Sequence, residues 1–305
     1  MAIFTTAAIQ ALQTGFDSSY RAGWGDAQLL TPAFTTVIPS SVRTNTYGWM
    51  ARLPSMRQWV GARVLQNLTN HDYSLTNLPY ELTVAVDRDD WEDDMLGVYA
   101  PLFEEMGRAA RLLQDQRVRL ALQAGVTTGL CFDGLTFFND AHPALGAGGA
   151  AIDNDFAGTA LTPANYNAVR VAMQSWVGED GESLGIMPTL LIVPPQLEGA
   201  ARQILISDMV PAPAPATASE TNVWKGSASL LVIPQLGNQA TTWYMADTSR
   251  AIKPLIWQNR RAPQLVSMAS PDTAEVFNNR QLIWGVDGRG AAGYGPFFLM
   301  ARAIA

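Results

Sequence analysis

The sequence predicts an α+β fold, and three observations support that class. A helical apolar periodicity runs from Leu102 to Ala124, strand patterns dominate the chain after residue 222, and no internal repeat is present. Of the 305 residues, 48% are hydrophobic and 15% are charged, which is enough for a substantial core in one large domain or two intimate ones. No apolar run reaches the roughly 20 residues of a membrane span, and the start lacks a secretory signal pattern.

The first 88 residues predict projecting segments with little core of their own. Residues 6–14 predict a short helix closed by Gly15, and residues 16–41 predict an extended arm that lies on a neighbouring subunit or on its own domain. Residues 46–88 begin and end with alternating strand patterns, which predict a long protruding hairpin or loop.

The stretch from Asp87 to Gly125 predicts an acidic helix start and then the longest helix of the chain. Asp87–Asp94 holds six acids and one arginine, and carboxylates are favourable at the positive end of a helix. Pro101 either begins the regular helix or kinks one that starts near Asp90, and Gly125 is expected to end it. The predicted buried stripe consists of Leu102, Met106, Ala109, Leu113, Leu120 and Ala124.

The second half of the chain alternates helices and strands before it becomes mainly strand. Thr162 and Pro163 form a helix start, and Pro195 begins another helix after the buried strand 189–193. Residues 211–222 are a stiff Pro/Ala stretch. The later predicted strands are Ser229–Ile233, Thr242–Ala246, Leu255–Gln258, Gln264–Met268, Gln281–Val286 and Phe297–Ala303.

Charge is distributed unevenly along the chain. The net charge is −7, which argues against sequence-independent nucleic-acid binding. Only Lys225 and Lys253 are lysines, and the other 18 basic residues are arginines, the usual choice for interface ion pairs. Residues 41–71 carry four arginines and no acid, whereas residues 87–105 carry eight acids and one arginine.

The sequence gives little support for a catalytic, cofactor or metal site, and none is predicted. Gly288–Gly293 matches GxGxxG, but Pro296 follows and no helix can form there, so a glycine-rich turn between the last two strands is expected. Asp140 and His142, with Asp133 and Cys131 nearby, lack the paired spacing of metal ligands. Asn139–Asp140 is instead expected to form a turn, with His142 extended before a proline.

Five long segments resemble the Mu-type major head subunit family, the major capsid proteins of Mu-like tailed phages with the Hong Kong 97-type fold. The segments, spread over nearly the whole chain, are GFDSSYRAG (15–23), FDGLTFFNDAHP (132–143), PTLLIVPPQLEGAARQIL (188–205), NVWKGSASLLVIPQL (222–236) and WYMADTSRAIKPLIWQNRRAPQLVS (243–267). The resemblance implies a Hong Kong 97-like capsid fold whose parts are an N-terminal arm (1–45), an extended loop (46–88), a peripheral domain with its spine helix (89–160), an axial domain (161–250) and closing strands that return to the peripheral domain (251–305).

The resemblance implies a virion structural protein and not an enzyme. Copies of the chain would form pentamers and hexamers of an icosahedral capsid, assembled in the host bacterial cytoplasm around double-stranded DNA that is held without sequence-specific binding. The implied partners are a separate scaffolding protein, a portal and a decoration protein, with no membrane and no cofactor. Some relatives of this fold join subunits through a lysine on the extended loop, but residues 46–88 contain no lysine.

Two alternatives share part of this evidence. One is a nanocompartment shell of the same fold that packages enzymes, and the other is a hydrolase that uses His142 and Asp140. For the shell protein, we expect hairpin residues of one subunit to contact acids of the next, because a protruding hairpin points away from its own base. The candidate contact residues are Trp49, Arg52, Arg57, Trp59, Arg63, Asp89, Asp90, Glu92, Asp93, Asp94, Glu104 and Glu105.

Overall fold

The computed structural model describes residues 6–49, 71–92, 97–145, 150–178, 181–211, 219–270 and 273–305. Their helices and strands form two main sheets with helices packed against them, which confirms the α+β class. The helices are α1 (Thr6–Asp26), α2 (Arg88–Glu92), α3 (Tyr99–Ala124), α4 (Pro163–Ser175), α5 (Glu198–Leu205) and α6 (Ala274–Asn279). The strands are β1 (Thr35–Pro39), β2 (Thr44–Trp49), β3 (His71–Thr76), β4 (Leu78–Asp87), β5 (Asp155–Phe156), β6 (Leu190–Val193), β7 (Met209–Pro211), β8 (Ser219–Thr221), β9 (Ser229–Val232), β10 (Thr242–Ala246), β11 (Leu255–Met268), β12 (Gln281–Tyr294) and β13 (Met300–Ile304).

The first sheet has the strand order β1–β11–β12–β4, with β1 parallel to β11 and the other pairs antiparallel. Helices α1 and α3 pack on one of its faces. Their shared core is aromatic: the rings of Phe16 and Phe103 stack with centroids 3.9 Å apart, and Trp284 meets both rings edge-on at 5.0 and 5.3 Å. Such packing contributes more than the buried area alone, so this cluster fixes the two helices on the sheet.

Helix α1 is longer than the sequence predicted. The expectation that Gly15 ends it and that an extended arm follows is wrong, because the helix continues to Asp26. Phe16 and Tyr20 are buried against α3 and the sheet, and this burial stabilises the additional turns. Only the segment after α1 leads away in extended form, where β1 pairs with β11.

Helix α3 confirms the predicted spine helix but not its predicted buried stripe. Pro101 lies in the first turn, and the helix ends at Ala124 before Gly125, as expected. The buried face consists of Phe103, Met106, Gly107, Ala110, Val118 and Leu122, so only Met106 is shared with the prediction. Gly107 lies at the crossing with α1, where a Cβ would lie 2.1 Å from the Tyr20 carbonyl oxygen, whereas Leu102 and Leu120 of the predicted stripe are exposed.

The second sheet has the order β5–β13–β10–β6–β9. Thr162 caps α4 as predicted, since its hydroxyl accepts the Asn165 backbone N–H at 3.2 Å, and Tyr166, Val169 and Met173 form the buried face. Strand β10 has the bounds that the sequence predicted, and every residue in it is buried. The main hydrophobic core lies around this sheet and its helices.

One expectation for the end of the chain is wrong. Gly288, Gly290 and Gly293 do not form a turn but lie within β12. Glycine occurs there because the strand passes close to bulky neighbours. A Cβ at Gly290 would lie 2.7 Å from both the Trp257 ring and the Gln258 carbonyl oxygen, so glycine is required there. Strand β13 pairs with β10 in the second sheet, whereas β11 and β12 lie in the first sheet.

Candidate assembly surfaces

The projecting hairpin predicted for residues 46–88 is present at its base. Strands β2 and β3 pair antiparallel from Thr44 opposite Thr76 to Trp49 opposite His71. The Thr44 and Thr76 hydroxyls lie 2.9 Å apart, which adds a polar cross-strand contact. The hairpin residues between 50 and 70, including Arg52, Arg57, Trp59 and Arg63, and the side chain of Trp49 lie outside the described residues.

Two buried amides anchor this hairpin to the first sheet. Asn77 is 2% exposed, and its Nδ2 donates to the Ser40 hydroxyl and to the Val42 carbonyl, each at 2.9 Å. Gln258 is fully buried on β11, where it accepts the Tyr47 hydroxyl at 2.6 Å and donates to the Leu75 carbonyl at 3.3 Å. The base of the hairpin is therefore held in one direction. Neither amide is predicted from the sequence, where the only signal is a single asparagine between two strand patterns.

The acidic run after the hairpin forms the short helix α2 rather than the first turns of α3. Asp87 caps it, with its carboxylate accepting the Asp89 backbone N–H at 2.8 Å. Asp89 pairs with Arg280 of the same chain at 3.0 Å, and both side chains are exposed. Asp90 is also exposed, whereas Asp93, Asp94 and the side chain of Glu92 lie outside the described residues.

The remaining candidate acids, Glu104 and Glu105, lie on α3. Both are exposed, and Glu105 approaches Arg108 at 3.5 Å one helical turn away. Exposed pairs of this kind contribute only about 0–1 kcal/mol, so they compete weakly with an incoming arginine. The structure therefore leaves Asp90 and Glu104 accessible, whereas Asp89 and Glu105 already have partners in their own chain.

A buried polar cluster links the loop between α3 and β5 to the segment between β12 and β13. Asp133 accepts three hydrogen bonds: from the Cys131 thiol at 2.7 Å, from the Leu135 N–H at 3.0 Å and from His142 Nδ1 at 2.5 Å. The His142 ring is fully buried and stacks on Phe297 with centroids 3.8 Å apart, in the segment between β12 and β13. As predicted, Asn139 forms the turn, with its side chain accepting the Ala141 N–H.

The electrostatics of this cluster favour a structural role. Burial by itself would raise the pKa of Asp133, but hydrogen bonds from His142, Cys131 and Leu135 lower it below its ordinary value. Burial and the neighbouring Asp133 raise the pKa of the Cys131 thiol strongly, which makes it a poor nucleophile. The hydrolase alternative paired His142 with Asp140, but the structure pairs it with Asp133 and leaves Asp140 exposed.

The sequence matches one family over almost its whole length. The family model described as "Mu-like prophage major head subunit gpT" matches residues 9–159, 155–236 and 235–304. The chain belongs to this Mu-like major head subunit family. The major capsid protein of Escherichia phage Mu is 32% identical over 302 residues, which cover 99% of this chain and 75% of that protein.

Solved capsids of bacteriophage JBD30 share the fold of this Mu-like major head subunit. Its procapsid matches with a TM-score of 0.60 and 30% identity, covering 99% of this chain and 76% of that chain. Its capsid decorated with minor capsid protein trimers matches with a TM-score of 0.59 and 27% identity, covering 76% of this chain and 99% of that chain. These matches confirm the predicted Hong Kong 97-like capsid fold.

The protein is accordingly a Mu-like major capsid protein, and its location is the virion capsid. The phage relatives support this function over a nanocompartment shell, and they are structural proteins. Within the described part of the chain, no helix has the length and apolar character required to cross a bilayer.

Proposed function

We propose that copies of this subunit form pentamers and hexamers of an icosahedral shell around double-stranded DNA, each copy holding the next through its β2–β3 hairpin. The observation that supports this most directly is the hairpin base. Asn77 and Gln258 fix its direction with buried hydrogen bonds, although the described part of the hairpin has little core of its own. A segment that has a fixed direction and little core of its own is suited to contact a neighbouring copy of the subunit.

We propose that the hairpin arginines Arg52, Arg57 and Arg63 contact acids of an adjacent copy. Their segment has four arginines and no acid, and residues 87–105 have eight acids and one arginine. Such complementary charge fixes register and accelerates docking more than it adds affinity. Asp90 and Glu104 are the best-placed targets because both are exposed and neither forms an ion pair among the described residues.

Charge reversal tests this contact. The double variant Arg57→Glu/Arg63→Glu should keep the circular dichroism spectrum of the folded subunit but lose shell formation by electron microscopy. The change Arg43→Glu serves as the control, since Arg43 lies at the hairpin base, outside the proposed contact, and should leave shell assembly intact. Adding Asp90→Lys and Glu104→Lys to the double variant should restore part of the assembly.

The outcome that contradicts the arginine contact is normal shells from the double variant. In that case the hairpin would hold its neighbour through Trp49, Trp59 and their apolar neighbours, and the shell function would stand.

The same proposal assigns the two sheets to the two domains of the capsid fold. The peripheral domain would comprise the first sheet with α1 and α3, and the axial domain the second sheet with α4 and α5. This division differs from the one made on sequence, since β5 and β13 join the second sheet and β1 joins the first.

The proposed partners are a separate scaffolding protein, a portal and a decoration protein. The JBD30 capsid that carries minor capsid protein trimers supports the last of these. No catalytic step is proposed, since His142 is buried and stacked on Phe297, and burial raises the pKa of the Cys131 thiol.

A further inference from the structure

Three potential metal ligands converge in the loop between α3 and β5, although their spacing in the sequence matches no metal motif. The Cys131 sulfur, an Asp133 carboxylate oxygen and a ring nitrogen of His142 all lie within 4.8 Å of one another. The backbone pairing of His142 with Ile152 folds the loop back on itself. Cys131 is 5% exposed, the Asp133 side chain is 4% exposed and the His142 side chain is fully buried. We call these three residues the Cys–Asp–His cluster.

Both ring nitrogens of His142 face oxygen acceptors, and a neutral imidazole has only one N–H to offer them. Nδ1 lies 2.5 Å from Asp133 Oδ2, and Nε2 lies 3.3 Å from the Phe137 carbonyl oxygen. When the proton is on Nδ1, the Nε2 lone pair faces the carbonyl oxygen, which is repulsive. A metal ion on Nδ1 allows the proton to reside on Nε2 and to be donated to Phe137. Histidine ligands of metals usually donate their other ring N–H to a carbonyl or a carboxylate in this way.

The thiol and the carboxylate complete a set of ligand atoms that suits zinc. Asp133 accepts the Leu135 backbone N–H at 3.0 Å, and this bond orients the carboxylate. Zinc in proteins binds thiolate sulfur, imidazole nitrogen and carboxylate oxygen, with bond lengths of about 2.0–2.3 Å. One thiolate and one carboxylate together balance the charge of Zn²⁺. Buried charges are stable when they are paired or coordinate a metal, so a neutral site of this composition fits the interior of the loop.

We propose that Cys131, Asp133 and His142 bind one Zn²⁺ ion. The ion would fix this loop to the segment between β12 and β13, because His142 stacks on Phe297 of that segment. Binding breaks the Cys131 S–H bond, forms an S–Zn bond and releases one proton to the solvent. The ligand atoms then lie about 3.3–3.5 Å apart, and a water molecule occupies the fourth position of the tetrahedron. The shorter hydrogen bonds described above belong to the metal-free subunit. The inference does not depend on contacts between copies.

Metal content and cobalt spectroscopy test the site in the full-length, unassembled subunit. Protein is unfolded in guanidinium chloride with EDTA, freed of the chelator, refolded with excess Zn²⁺ or Co²⁺ and desalted. The wild type should retain one zinc ion per chain by elemental analysis, and its cobalt form should show the near-ultraviolet charge-transfer band of a thiolate ligand. Asp140→Asn is the matched control: Asp140 is an exposed acid of the same loop, so both signals should be unchanged.

Removal of one ligand should abolish both signals. Cys131→Ala removes the thiolate and keeps a small apolar side chain in the core. It should lower the zinc affinity by more than the roughly 10–100-fold that changes in the groups around metal ligands cost. Thermal unfolding gives a second readout, which does not require the variant to fold. Zn²⁺ should raise the unfolding temperature of the wild type and of Asp140→Asn by several degrees relative to EDTA, because the ion binds the folded subunit.

Two results would overturn the zinc site. The first is a folded wild-type subunit that retains no zinc, shows no thiolate–cobalt band and unfolds at the same temperature with Zn²⁺ and with EDTA. A second proton on His142 would then satisfy both oxygens that face the ring. The second is a Cys131→Ala subunit that keeps its zinc, which would place the ion elsewhere on the chain. Neither result bears on the shell function.

Discussion

Asp133 shows how one buried carboxylate connects two parts of the fold. Its hydrogen bonds to Cys131 and His142 close the loop between α3 and β5, and the stacking of His142 on Phe297 ties that loop to the last strands. Asn154 reinforces the same point, since its Nδ2 donates to the carbonyls of Phe137, Phe297 and Met300. Each of these buried polar side chains is a hydrogen-bond partner of another buried group, so removing one side chain leaves buried groups without a partner.

We therefore predict that Asp133→Asn destabilises the unassembled subunit by about 2–4 kcal/mol, measured by urea unfolding at pH 7. Because the pKa of Asp133 is lowered in the folded state, its contribution is present above the ordinary carboxyl value and is lost as the pH falls through the folded value. The difference between wild type and variant should therefore shrink below about pH 4.

The control for this prediction lies in the same loop. Asp140 is exposed, so Asp140→Asn should change the unfolding free energy by no more than about 0.5 kcal/mol. Equal effects of the two substitutions, or a difference that does not shrink as the pH falls below about 4, would contradict the role of the buried carboxylate.

At this scale the sequence predicted the turn at Asn139 but not the partner of His142. Asp133 and Asp140 are both close to His142 along the chain, and sequence spacing does not show which carboxylate points inward. His142 forms an isolated backbone pair with Ile152. This contact, which orients the histidine, depends on how the loop folds back on itself and is therefore not visible in the sequence.

Among the elements, the crossing of α1 and α3 depends on glycine. A Cβ at Gly23 would lie 1.8 Å from the Glu104 carbonyl oxygen, and one at Gly107 would lie 2.1 Å from the Tyr20 carbonyl oxygen. The two helices thus approach until backbone meets backbone, and this approach brings Phe16 onto Phe103.

The substitution Gly23→Ala should therefore separate the helices and lower the unfolding free energy by about 1–3 kcal/mol or more. Gly15→Ala on the same helix has open space around it and should raise stability by about 0.5–1 kcal/mol, because alanine is the better helix former. Thermal unfolding of the two variants makes the comparison. A stable Gly23→Ala subunit would disprove the tight crossing.

The elements predicted best from sequence were those whose local signals agree with their packing. Helix α4 has a capping threonine, a proline in its first turn and one buried face, and β10 is apolar and bounded by turns. Helix α1 was predicted too short because Gly15 is a typical helix breaker, while the contact that fixes the rest of the helix joins Gly23 to Glu104, more than 80 positions away. The α3 stripe was misassigned because periodicity identifies an apolar face but not its partner.

For the whole molecule, the chemistry available for covalent links is limited. Cys131 is the only cysteine and is buried, and residues 46–88 have no lysine. Lys253 donates to the Pro32 carbonyl at 2.5 Å, and Lys225 pairs with Asp208. We therefore expect the contacts between copies to be non-covalent.

We predict that purified shells boiled in detergent give a single band near 33 kDa on an electrophoresis gel. A comparison with and without reductant serves as the control, because a disulfide between Cys131 residues would appear only without it. A ladder of multimers that survives reductant would show covalent links between subunits and contradict the prediction.

The order of strands in the second sheet has a consequence for biosynthesis. Strand β13 is inserted between β5 and β10, so the ribosome must synthesise residue 304 before this sheet can close. The first sheet also depends on late strands, since among the described residues β1 pairs with β11 and β4 pairs with β12. A nascent chain therefore cannot complete the first sheet before β11 and β12 are synthesised, nor the second sheet before β13 is synthesised. We therefore expect contacts between copies to form only after strand β13 has been synthesised and has joined the second sheet.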